Sequence, residues 1–244
     1  MVLFYTENIQ ANQAIFESDE LRHIQHALRK QTGGEIFFTD GKGSIYQGVI
    51  VSQNKKRAVV EWSSKTSKVT KYPQIHLAVA PTKNIDRIEW LLEKSTELGI
   101  ESFHCIKCKH SERKNVKFDR LQRIATAAMK QSLKAKRPSI PELENFDDWI
   151  KKAEGKRFIA TLHDKSVSLA HALSELKTQA NSFGDLELTI AIGPEGGFRQ
   201  DEVEAAITEG FIPVHLGSER LRTETAGIFS VSTIHAIYQQ DSES

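Results

Sequence analysis

Residues 188–240 read LTIAIGPEGGFRQDEVEAAITEGFIPVHLGSERLRTETAGIFSVSTIHAIYQQ. An apolar run from Leu188 to Ile192 stops at Gly193, Pro194, Glu195, Gly196 and Gly197; an amphipathic segment follows, and a second run, Ile212 to Leu216, stops at Gly217. Both runs have the length and composition of buried parallel strands. Open α/β sheets bind ligands beyond the carboxyl ends of their strands. The two loops, a short helix apart, are therefore the best candidate site in the chain.

Consecutive glycines allow positive φ and let a ligand approach main-chain amides without meeting a Cβ. Pro194 stiffens the first loop, and Asp201 and Glu202 fall in the first turn of the next helix, where carboxylates suit the dipole. The second loop, Ser218 to Gly227, sets Arg220, Arg222, Thr223, Glu224 and Thr225 before a helix rich in small residues. Read from spacing alone, the same residues fit a glycine turn beside a surface charge cluster.

The surrounding 244 residues suit one large or two small domains, and 39% hydrophobic with 27% charged residues is ordinary for a soluble globular protein. No apolar run approaches the roughly 18 residues of a membrane span, and no basic region with an apolar core opens the chain. The expectation is a cytoplasmic protein. Cys105 and Cys108 form a lone CxxC inside a strand-like run, SFHCIKC, with no second ligand pair. Reduced cysteines, at least one in the core, and no metal are expected.

The formal net charge is only +1, yet Lys107 to Arg137 holds eleven Lys and Arg against Glu112 and Asp119, leaving +9 before His110 is counted. Residues 141–210 lean acidic. Such asymmetry points to a polyanionic partner, most simply nucleic acid, or else to a solvated helix face.

In chain order, residues 1–70 read as a small β-rich domain. A strand at Val2 to Tyr5 precedes a helix from Asp19 to Lys30 with Ser18 as N-cap. Strands follow at Glu35 to Thr39, Ser44 to Ser52 and Ala58 to Trp62, separated by DGKG and QNKK turns. Ser63 to Gln74 is polar, contains Pro73 and reads as a linker. From 74 to 244 strands alternate with helices: strand Ile75 to Ala80, helix Asp86 to Leu98 ended by Gly99, strand Ser102 to Lys107, helix Asp119 to Leu133, strand Arg157 to Leu162, then a helix from Ser168 as N-cap to Lys177. That alternation implies a parallel sheet covered on both faces.

GPEGGF and LGSERLRTETA together resemble the signature of the RsmE family, SPOUT-class methyltransferases that modify N3 of a uridine in 16S ribosomal RNA. LRHIQHALR, DRIEWLLEKSTELGIESF and KQSLKAKRPSIPEL extend the resemblance over nearly the whole chain. It implies a PUA-like RNA-binding β-barrel over residues 1–70 and a SPOUT α/β domain over 74–244, with a deep trefoil knot holding S-adenosylmethionine. It also implies a homodimer with 16S rRNA in the 30S subunit as partner.

By the same resemblance, the cofactor pocket draws on Leu162, His163, Gly193, Pro194, Glu195, Gly196, Gly197, Leu216, Gly217, Leu221, Arg222, Thr223 and Thr225. Leu162, Leu216 and Leu221 suit an apolar adenine slot, although Leu162 also reads as sheet core and His163 as a solvent-facing loop residue. Methyl transfer from a sulfonium needs mainly positioning and charge stabilisation, since uracil N3 must lose its proton and meet the methyl group. Arg222 is the first choice for the developing anion or a phosphate, because guanidinium is a rigid donor fork. Glu195 is a candidate base or partner of the cofactor's amino group, or else a carboxylate bonded to its own loop. Arg22, Arg29, Lys109, Arg113, Lys134 and Arg137 are the candidate RNA contacts. Two departures stand out: Arg199, where the family often has a Ser or Thr helix cap, should weaken that helix start, and Lys134 replaces a common Arg.

An RNA-binding scaffold without catalysis shares the basic surface and leaves the two intact loops unexplained. A SPOUT enzyme acting on another RNA base shares every motif, and a nucleotide hydrolase lacks its GxxxxGK[ST] loop.

Overall fold

The computed structural model describes residues 1–27, 31–67, 72–179 and 184–239. The chain forms two compact units, residues 1–69 with 125–137, and residues 70–124 with 138–244.

In the first unit, β1 (Leu3–Tyr5), β2 (Ile9–Gln10) and β3 (Gln13–Phe16) lead into α1 (Ser18–Arg22) and a π-helical turn, His23–Ala27, before β4 (Glu35–Thr39), β5 (Ser44–Gln53) and β6 (Ala58–Ser67). The sheet order is β1-β4-β5-β6-β3-β2, antiparallel except where β1 meets β4. Thr6 donates its N–H to Thr39 O at 3.1 Å and its hydroxyl to Ile15 O at 2.6 Å, so the chain after β1 bridges β4 and β3 and curls the sheet. Register shifts between β5 and β6 add to that curl. Alternating residues fill the interior: Phe4, Phe16, Phe38, Tyr46, Ile50 and Val60, with Leu21 and Ile24 from the helical segment.

Three readings change here. Glu17, not Ser18, is the N-cap residue, because Ser18 itself sits at φ +50 and no side chain caps the turn. The helix is short and passes into the π turn, and residues 28–30 of the expected span lie outside the described residues. The expected linker begins late, since β6 continues to Ser67 paired with β5. Its polarity reflects an exposed strand face, where Lys65 lies 5.4 Å from the Tyr46 ring centroid.

In the second unit, β7 (Gln74–Val79), α2 (Ile85–Leu98) and β8 (Ser102–Lys107) follow the expected spans closely. Asn84 Oδ1 accepts from Asp86 N–H at 3.0 Å to start α2, and Gly99 ends it in the left-handed region. The elements continue with α3 (Phe118–Gln131), β9 (Glu144–Asn145), α4 (Phe146–Trp149), β10 (Lys156–Ala160), β11 (Val167–Ser168), α5 (Leu169–Gln179), β12 (Glu187–Ile192), α6 (Gln200–Thr208), β13 (Ile212–His215) and α7 (Thr223–Gln239). The division between the two units falls within α3. That helix stops before Leu133, which takes φ +54 while Lys134 N–H reaches Met129 O at 3.0 Å. A helix ending on a left-handed leucine has no composition signal.

Seven parallel strands form the sheet β11-β13-β10-β12-β7-β8-β9. One face, carrying Ala78, Ile106, Ile159 and Ala191, packs under Phe146, Trp149 and Ile150 beside Val203, Ala206 and Phe211. α7 packs against β7 and β12, with α2 and α5 against α7. Gly227 permits the α2·α7 approach, since a Cβ there would lie 2.8 Å from Leu91 Cδ2. The α4 segment was missed in the sequence because FDDWI is too short and too acidic to show a helical period. Cys105 and Cys108 are both buried, and burial pushes the Cys105 thiol up to about 12 and raises that of Cys108. No described helix is long and apolar enough to cross a membrane.

Candidate active site

β10 has β12 on one side and β13 on the other. The loops leaving the carboxyl ends of these three strands surround a cavity of about 770 Å³. That is within the range of small-ligand pockets, at the end of the sheet where α/β proteins hold them.

The first loop is a tight turn. Gly197 N–H donates to Pro194 O at 2.8 Å, and Gly197 takes φ +71. A Cβ on Gly193 would meet Phe198 N and Cδ2 at 3.1 Å, so the turn closes only around a bare backbone. Glu195 is exposed, and its Oε1 accepts from Lys83 N–H at 3.1 Å, an amide beyond β7 rather than in its own loop. His110 Nδ1 lies 3.2 Å from Gly197 O. The glycine turn is thus held from two neighbouring loops.

The α6 start that follows is not weakened as Arg199 suggested. Arg199 gives no side-chain cap, but Glu202, 1% exposed, accepts Arg199 N–H on Oε2 at 2.9 Å and Lys109 N–H on Oε1 at 2.8 Å. The Lys109 ammonium, 2.6 Å from Asp201 Oδ2, holds the Asp201 carboxyl below its ordinary value and is itself raised by that contact.

The second loop meets the first through Thr223, whose hydroxyl donates to Gly193 O at 3.1 Å. Arg222 lines the cavity, is exposed, and pairs with no carboxylate among the described residues. At the third loop, β10 ends at Ala160, so Leu162 is 84% exposed at the cavity and is not sheet core. His163 Nδ1 accepts from Lys165 N–H at 3.1 Å, which fixes the ring beside the cavity.

Twelve of the thirteen residues expected at the cofactor line this cavity: Leu162, His163, Gly193, Pro194, Glu195, Gly196, Gly197, Leu216, Gly217, Leu221, Arg222 and Thr223. Thr225 is exposed on α7 and does not line it. Sequence reasoning missed Arg87, from the first turn of α2, whose Nε stands 3.7 Å from Glu224 Oε1. No local signal marks it, because only the packing of α2 on α7 brings it there.

The basic residues are less uniform than their count suggested. In the second unit Lys109 is paired with Asp201, and Arg113 donates to the carbonyls of Thr82 (2.9 Å) and Lys83. In the first unit Arg22 pairs with Asp19, and Arg137 with Glu7 at 3.1 Å while lying over the Tyr5 ring. Lys134 is half-buried, and Arg29 lies outside the described residues. Lys107, Lys114 and Lys117 remain exposed.

A parallel α/β sheet with a strand-end cavity walled by a glycine turn and an arginine loop, accompanied by a small curled β unit, has the architecture of α/β enzymes that hold a small ligand at the carboxyl ends of their strands. A model of the RNA methyltransferase domain matches residues 70–235, and one of the RNA methyltransferase PUA domain matches residues 16–61. The chain belongs to this RNA methyltransferase family. It is similar to a probable rRNA-methyltransferase from Porphyromonas gingivalis, with 36% identity, 98% of this chain and 99% of that one covered, and a TM-score of 0.84. Ribosomal RNA small subunit methyltransferase E of Buchnera aphidicola is 26% identical over 97% of this chain and 93% of its own length. The fold also matches that of the Neisseria gonorrhoeae methyltransferase E crystallised with S-adenosyl methionine, at 24% identity and TM-score 0.80, covering 97% of this chain and 98% of that one.

Proposed function

We propose that this chain transfers a methyl group from S-adenosylmethionine to N3 of a uridine in 16S rRNA of the small ribosomal subunit. The observation that carries the reading is the strand-end cavity of about 770 Å³, lined by a bare-backbone turn and by Arg222, which has no carboxylate partner among the described residues. The family assignment supports the reaction type, and relatives named small subunit methyltransferase E support the substrate.

S-adenosylmethionine, when bound, supplies an electrophilic methyl on sulfur. Leu162, Leu216 and Leu221 offer apolar surface to the adenine, and the Gly193–Gly197 backbone reads its polar edges. Arg222 stabilises the uracil anion that develops as N3 loses its proton, or holds a neighbouring phosphate. Glu195, with one oxygen held by the Lys83 amide, takes the proton or the cofactor's ammonium. Residues 1–70 serve RNA binding and 74–244 the transfer, with Arg22, Arg29, Lys109, Arg113, Lys134 and Arg137 among the RNA contacts. The loops of the second unit are threaded as a trefoil knot in this reading, and the protein works in the cytoplasm.

The active form is a homodimer in the same reading. Trp90 on α2 and Phe229 on α7, 44% and 45% exposed on two helices packed together, support an apolar face for a second copy.

The test begins with calorimetric titration of S-adenosylmethionine, followed by methyl transfer to 30S subunits lacking the modification. Saturable binding and a product at uridine N3 are expected, with Arg222→Ala losing at least about 100-fold in turnover while its circular dichroism is unchanged. RNA binding without cofactor binding would turn the protein into a scaffold, and a product on another base would overturn the substrate.

A further inference from the structure

The far end of the same sheet holds a cluster that the methyl-transfer reading does not use. His76 is the third residue of β7, Glu187 the first of β12, and Glu154 sits just before β10; their ligand atoms all lie within 4.8 Å of one another. β10, β12 and β7 are adjacent, and Thr189 is the register partner of His76, so Glu187, two residues earlier, shares a sheet face with the imidazole. The site is therefore at the amino ends of β10, β12 and β7, the first two of which contribute their carboxyl ends to the cavity.

The backbone fixes this arrangement. Thr189 Oγ1 donates to Glu154 O at 2.7 Å, and a Cβ on Gly155 would lie 2.2 Å from Glu187 O. These contacts hold the backbones of Glu154 and Glu187 together, and their carboxylate oxygens lie within 4.8 Å of each other. The imidazole is oriented as well, because His76 Nδ1 lies 2.7 Å from Ser102 Oγ, which in turn lies 2.8 Å from His104 Nε2. If His76 Nδ1–H donates to Ser102, the Ser102 hydroxyl donates to His104 Nε2, and His104 is neutral. The same pattern leaves a lone pair on His76 Nε2, an atom that is buried and has no hydrogen-bond partner among the described residues. A buried imidazole nitrogen without a hydrogen-bond partner, on a histidine clustered with two carboxylates, is a donor set suited to a cation, and a hydrogen bond to the other ring nitrogen is how metal-binding histidines are held.

We propose that His76, Glu154 and Glu187 bind one divalent transition-metal ion, with zinc as the ion best matched to one imidazole and two carboxylates. The ion joins the amino ends of three central strands and has a structural role, remote from methyl transfer. The expectation of no metal rested on the cysteine pair; these ligands lie far apart in sequence and carry no spacing motif.

The test uses the full chain, stripped with a chelator that is then removed, and titrated with zinc chloride by calorimetry and with cobalt(II) by visible absorption. One ion per chain is expected, with affinity at least about tenfold weaker in His76→Ala, Glu154→Gln and Glu187→Gln, and a rise of about 5 °C or more in the wild-type Tm at saturating zinc. The two Glu→Gln changes keep size and shape, so they preserve the test if His76→Ala fails to fold. S-adenosylmethionine affinity should stay within about twofold in all three, which separates this site from the cavity. No saturable zinc binding, or unchanged binding in Glu187→Gln, would overturn the site; zinc binding without any cofactor binding would leave it standing.

Discussion

The Thr223 hydroxyl, on the first residue of α7, donates to the Gly193 carbonyl at the end of β12, 3.1 Å away. Thr223 is 5% exposed. One hydrogen bond therefore ties the arginine loop to the glycine turn across the cavity. Thr223→Val keeps the shape and leaves Gly193 O without this donor, at about 1–2 kcal/mol. We expect a lower Tm and cofactor affinity about tenfold weaker by calorimetry, with Thr223→Ser restoring both; full affinity in Thr223→Val would show that the loops hold their positions independently.

Gly197→Ala places a Cβ at φ +71 in a turn closed by its own N–H. A left-handed alanine costs about 1–2 kcal/mol. The change should lower both Tm and cofactor affinity, whereas Gly43→Ala, also left-handed but in the first unit, should lower Tm with affinity unchanged. Equal cofactor affinity in the two variants would remove the turn from the pocket.

Glu202 replaces the missing cap at position 199 by accepting two backbone amides. Glu202→Ala removes a buried acceptor from two part-buried amides, at roughly 2 kcal/mol in urea denaturation. Arg199→Ser should change stability by less than about 1 kcal/mol, because α6 already has its acceptor.

His104 carries the clearest pH dependence. Burial holds its folded-state pKa below the ordinary value, so the unfolded chain binds the proton first as pH falls. The associated stability is complete above about pH 6.5 and is lost as pH falls from there through the folded value. Tm measured between pH 5 and 8 in chelator should drop on the acid side, and His104→Gln should flatten that drop.

Cys105 and Cys108 should resist alkylation. With the Cys105 thiol pushed up to about 12 and Cys108 raised further by burial, almost no thiolate exists at pH 8. Iodoacetamide followed by mass spectrometry should leave both unmodified in the native protein and label both in guanidinium.

The sequence by itself determined the main parallel strands and the loops that line the cavity. Apolar runs such as Leu188 to Ile192, ended by glycine, are local patterns of burial and turn chemistry, and they marked the strand ends that surround the cavity. The resemblance of two loops was enough to name a family. Tertiary structure alone decided which side chains meet. Arg87 reaches the cavity because α2 packs on α7, and Glu202 caps α6 while holding an amide from the loop after β8. His76, Glu154 and Glu187 converge because three strands far apart in sequence are neighbours in the sheet. Local sequence records the period of a strand and the residues that end it, whereas strand order and helix packing are set by how the whole chain buries its apolar surface.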